Sequence, residues 1–129
     1  MPPYDAEHYH PPAPLAAVTL TTQDRKTSLS GVVMQIDSGA DASLVPESAV
    51  ARLGLEVEQQ RDYELVAFDG SKKVARSVQC RLVFLGRGFR GTFLVLDDAR
   101  GVLGRDVLNH IALVLDGPHL TWREEHAVK

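Results

Sequence analysis

The stretch Met34 to Pro46, MQIDSGADASLVP, drives an acid, Asp37, straight out of an apolar run and follows it with Ser38 and Gly39. An Asp before Ser-Gly commonly does no more than cap a turn through its side chain. A carboxyl can also do acid–base chemistry. Hydrolysing a peptide without a covalent intermediate needs one group to deprotonate water while another protonates the carbonyl oxygen. Two adjacent carboxyls meet both needs, because like charges that close cannot both ionise and so share one proton. The charged member is then the base and the neutral member the acid. Asp37 is followed by a short apolar strand candidate at Leu44-Val45 and, much later, by the apolar-apolar-Gly-Arg-Asp segment at 102–106. Two linked motifs outweigh a capped turn. The chain holds one Asp-Ser-Gly, and the scrambled Asp69-Gly70-Ser71 belongs to a hairpin tip, so one chain supplies half of such a site.

The elements that must position Asp37 read as short strands. Leu15 to Thr22, LAAVTLTT, places Ala16, Val18 and Leu20 on one face, and GVVMQI forms a second strand that ends at Asp37. Pro46 and Gly54 bracket ESAVARL as a two-turn helix. YELVAF and SKKVARSV flank Asp69-Gly70, a dipeptide suited to a tight hairpin. SVQCRLVFLG continues as a strand with Val78, Cys80, Leu82 and Phe84 on one face, and FRGTFLVL returns antiparallel after the Gly86-Arg-Gly88 turn. Apolar spacing from Leu103 onward predicts a second short helix, and ALVLDG and HLTWR are strand candidates around Gly117-Pro118. Many short strands with two short helices predict a mainly β barrel or sandwich.

With 129 residues and 44% hydrophobic content, the chain suits one domain with a real core. Five of its seven prolines fall in residues 1–14, which read as a flexible N-terminal leader; the domain proper spans 15–123, and 124–129 form a charged tail. With a formal charge of -3 and no basic block, no nucleic-acid partner is expected. No apolar run is long enough to span a bilayer and no secretory signal opens the chain, so no membrane partner is expected and the cytoplasm is the expected location. The lone Cys80 agrees with a reducing compartment. His8 and His10 lack partners at ligand spacing, so no metal is expected.

On MQIDSGADASLVP and VLGRDVL, the sequence resembles the retropepsin-like aspartic proteases, single-domain homodimeric relatives of pepsin. The resemblance implies a closed or partly open β-barrel of the acid protease type, homodimeric, with Asp37 catalytic and Ser38, Gly39 and Ala40 completing its loop. It implies no cofactor. A second copy of the chain and a peptide or protein substrate are the implied partners. Asp41 is placed by it at the substrate rim, paired with Arg105 across a bidentate contact that locks loop to helix. The hairpin of Ala67, Phe68, Asp69 and Gly70 becomes a lid over bound peptide. Retroviral lids carry several glycines at the tip, whereas VAFDGSKK has one. The alternative is a non-proteolytic peptide-binding or dimerisation module on the same fold, since fold alone does not secure activity. Trp122 is either an anchor of the dimer contact or a core residue.

Overall fold

The computed structural model describes residues 1–66 and 70–126. Its elements run β1 (Tyr4–Asp5), β2 (Ala13–Thr21), β3 (Ser28–Ile36), β4 (Leu44–Pro46), α1 (Glu47–Leu53), β5 (Glu58–Val66), β6 (Lys72–Phe84), β7 (Arg87–Leu96), β8 (Gly101–Leu103), α2 (Arg105–Leu108), β9 (Leu113–Asp116) and β10 (Thr121–Glu124). The main sheet has the order β1-β2-β3-β8-β4-β7-β6-β5. An additional pairing of β2 with β6 closes β2, β3, β8, β4, β7 and β6 into a barrel. The mainly β, barrel-type expectation therefore stands.

Alternation along the strands fills that barrel. Ala16, Val18 and Leu20 from β2, Val32, Met34 and Ile36 from β3, and Val78, Cys80, Leu82 and Phe84 from β6 are all buried. Leu103 of β8 and Val107 of α2 join the same core, so the segment around Gly-Arg-Asp is anchored from both sides. α1 has the bounds expected of it. Pro46, at φ -67, brings the chain in, and Gly54 ends the helix in the left-handed region at φ 66, where its N–H and that of Leu55 return to Ala51 and Val50.

Three local expectations change. The helix read from Leu103 onward is only Arg105–Leu108, because Gly101–Leu103 is drawn into the barrel as a strand parallel to Met34–Ile36. The turn between β6 and β7 centres on Leu85 (φ 52) and Gly86 (φ 76), one residue before its expected place, since two consecutive positive φ angles suit a tight hairpin. Residues 1–14, read as a leader with little to bury, are held through main-chain bonds, with Ala13 buried and Tyr4 packed against the core. Tyr4 and Asp5 pair with Pro14 and Ala13, the Trp122 N–H donates to the Pro2 carbonyl, and the Tyr4 N–H donates to the Leu120 carbonyl. β9 and β10 form a separate two-stranded sheet beside this segment. Among the described residues, no helix is long and apolar enough to cross a membrane.

Candidate functional site

β3 and β8 run parallel, and the Asp37 N–H extends their ladder by donating to the Leu103 carbonyl at 3.0 Å. The chain then leaves the barrel in a tight loop. The Ala40 N–H donates to the Asp37 carbonyl at 3.2 Å, and the Gly39 N–H donates to Asp37 Oδ1 at 2.9 Å. A Cβ at Gly39 would stand 3.1 Å from that same carboxylate oxygen, closer than most side chains tolerate. Asp37 is half-buried at the barrel end, while Ser38 and Gly39 are exposed. The result is a carboxyl aimed by its own loop, with a bare backbone beside it.

That loop rests on the turn from Gly104 to Asp106. Arg105 donates its backbone N–H to the Ala40 carbonyl and Nη1 to the Ser38 carbonyl, both at 2.8 Å. A Cβ on Gly104 would come within 2.7 Å of the Ala42 backbone, so the loop sits directly on that glycine. Asp106 Oδ2 accepts from the Ser43 N–H at 3.0 Å and Oδ1 from the Ser43 hydroxyl at 2.6 Å. The Ser43 hydroxyl in turn accepts from the Gly104 N–H at 2.9 Å. Ser43 is fully buried, with its polar groups satisfied.

The structure thus brings Asp37, Ser38, Gly39, Ala40 and Arg105 together. Arg105 Nη1 has the Ser38 carbonyl as its partner. The backbone bond from Arg105 to Ala40 tucks the arginine beneath the loop, whereas Asp41 is exposed beyond it. The acid that ties the end of the loop to α2 is Asp106. Its one sequence signal is the buried-looking Ser43 between Ala42 and Leu44, a small polar residue opening an apolar strand. β5 and β6 form the expected antiparallel hairpin, paired as far as Val66 with Lys72, and Gly70 is an exposed bend at φ 83. Ala67, Phe68 and Asp69 lie outside the described residues. A cavity of about 430 Å³ opens elsewhere, lined by Thr22, Asp24, Gly54, Glu58 and Gln79, and includes none of residues 37–41. Among the described residues, no three of His, Cys, Asp and Glu gather as metal ligands would.

A family model described as aspartyl protease matches residues 18–107. Among solved structures, the EIAV protease complexed with the inhibitor HBY-793 is similar with a TM-score of 0.59 at 21% identity, covering 76% of this chain and 86% of that one. A retropepsin-like aspartic protease from Rickettsia conorii matches with a TM-score of 0.49 at 18% identity, over 79% of this chain and 86% of that one. The retroviral protease-like domain of Ddi1 from Leishmania major matches with a TM-score of 0.48 at 17% identity, over 88% and 90%. The likeness in fold rests on the first of these. Comparison with curated proteins found no match.

Proposed function

The chain belongs to the aspartyl protease family, and from that premise we propose that it is a homodimeric endopeptidase whose active site pairs Asp37 of one copy with Asp37 of a second. The observation that carries the reading is the Asp37 loop itself: one Asp-Ser-Gly per chain, presented at an exposed barrel end and braced from beneath. A residue on the axis of a two-fold interface meets its own copy, so symmetry supplies the second carboxyl. Residues 15–123 would form the protease domain.

In this reading the two carboxyls share one proton and hold a water between them. The ionised Asp37 takes a proton from that water as its oxygen attacks the peptide carbonyl, and the protonated Asp37 gives its proton to the carbonyl oxygen. The resulting tetrahedral diol collapses with transfer of a proton to the departing amine. The Gly39 N–H, already on Asp37 Oδ1, fixes the carboxyl's orientation. Ser38 bridges to the partner loop through its hydroxyl. The β5–β6 hairpin covers the peptide, with Gly70 in its bend and Asp41 at the groove rim. Val66 and Val74, both exposed on the strands of that hairpin, offer apolar contact to a substrate.

The test is a peptide-library digest scanned over pH, with and without a statine-type inhibitor, on wild type and Asp37→Asn. Cleavage is expected on the acid side of neutrality. It should be blocked by the inhibitor, lost by more than about a thousandfold in Asp37→Asn, and rise in specific activity with protein concentration. A wild type that is inert across the pH range yet dimeric would favour the peptide-binding module. Cleavage that survives Asp37→Asn would sink the mechanism.

A further inference from the structure

Resting on that reading, we propose that Asp106 and Ser43 are positioning residues for Asp37, acting as one unit that sets where the catalytic loop meets the barrel. Three facts carry this. The loop begins at Asp37 and ends at Ser43, so its far end is as decisive for its shape as its near end. That far end is held by a closed ring, in which Asp106 receives both donors of Ser43 and Ser43 receives the Gly104 N–H. The same three-residue turn supplies the Arg105 bonds to Ser38 and Ala40, so any shift at Asp106 is passed to the carbonyls flanking Gly39.

The ring also has no slack. Ser43 is 0% exposed, and Gly104 cannot retreat, because the Ala42 and Ala40 carbonyls lie within 2.7 and 2.9 Å of where its Cβ would be. Asp106 itself is exposed, but a leucine there covers Ser43 from water, so Asp106→Leu leaves the buried Ser43 N–H and hydroxyl unpaired, and Ser43→Ala leaves the buried Gly104 N–H unpaired. The backbone must then move to satisfy it, and the group displaced is the Gly39 N–H that aims Asp37 Oδ1. Misplacement of a reacting group by about 1 Å costs on the order of a hundredfold in rate.

The chemistry of the ring predicts which substitutions it accepts. In Asp106→Asn, the side-chain oxygen still accepts from the Ser43 N–H, while the amide donates to the Ser43 hydroxyl. The Ser43 oxygen has two lone pairs and also keeps the Gly104 N–H, so Asn removes only the acceptor of the Ser43 hydroxyl proton. Asp106→Leu fills similar space and offers nothing to bond.

The experiment measures kcat and KM for Asp106→Leu, Asp106→Asn, Ser43→Ala and the Ser43→Ala/Asp106→Leu double variant, with melting temperatures and the Gly39 amide resonance for each. Val50→Ala, a core cut in α1, serves as the control for mere loss of stability. Asp106→Leu and Ser43→Ala should each lower kcat by about a hundredfold with KM moved less than about threefold. The double variant should be no worse than either single, and Asp106→Asn should recover part of the loss. The Gly39 resonance should shift in Asp106→Leu and not in Val50→Ala. Additive losses, an Asn no better than Leu, or a kcat loss matched by Val50→Ala at equal melting temperature would overturn the proposal. If the wild type itself cleaves nothing, the protease reading fails on its own. The Gly39 resonance then decides the positioning claim, and no shift in Asp106→Leu would overturn it.

Discussion

Trp122 illustrates how a residue's role is settled by what its polar atom reaches. Its ring lies 5.8 Å from that of Phe84 at 45°, and its Nε1 donates to the Leu15 carbonyl at 2.8 Å, leaving it 3% exposed. Between interface anchor and core residue, the structure of the single chain selects the core. Trp122→Ala should therefore cost about 3–5 kcal/mol in denaturant unfolding, and native tryptophan fluorescence should stay constant on dilution through dimer dissociation. At the same scale, Asp37 was legible because its loop chemistry is local: acid, hydroxyl and glycine stand side by side in the sequence. The Arg105 and Asp106 partners were not. Which of two neighbouring side chains turns toward Ser38 and which toward Ser43 depends on the direction of a four-residue helix, and no periodicity can be read from so few residues.

Among the elements, those with punctuation at both ends were the readable ones. α1 came out between Pro46 and Gly54 because one residue presets φ on entry and the other takes a left-handed exit. α2 was overdrawn for the opposite reason: its apolar spacing began in residues that a parallel strand pairing claims, and such a pairing leaves no local mark. The prolines of the first fourteen residues also misdirect, since proline lacks a donor but keeps its carbonyl, and the Pro2 carbonyl is used. The turn that follows β1 carries a pH prediction. The Asp5 carboxyl is pulled from 3.8 down to about 2, first by the His8 backbone N–H and then by the His8 side chain, with the Glu7 N–H adding to them. A carboxyl that binds its proton more weakly when folded stabilises the folded turn above its ordinary value, and that contribution is lost as pH falls from 3.8 towards 2. Limited proteolysis of the leader should thus stay slow through mild acid and accelerate only within that window. In Asp5→Asn the acid-triggered step should be absent.

For the molecule as a whole, the strands could be anticipated but their closure could not. Pairing of Thr19–Thr21 with Arg81–Val83 joins segments some sixty residues apart, and only that contact turns a strip of strands into a barrel. It also divides β6. Among the described residues, Lys72 to Arg76 of that strand pair with β5, whereas from Ser77 onward it pairs with β7 and sends Val78, Cys80, Leu82 and Phe84 into the barrel core, with β2 flanking Arg81–Val83 as well. Ser77, 1% exposed, marks the changeover. Opening free energy follows the buried contacts that must be released. A single uninterrupted strand should therefore carry two populations of amide lifetimes, short before Ser77 and long after it, in a native-state hydrogen-exchange measurement. Uniform protection along the whole strand would show that the outer arm is as rigid as the barrel wall. A split at Ser77 would instead make the strand a beam cantilevered from a fixed wall, so that whatever presses on its free end is felt as torque at the root without the wall having to loosen.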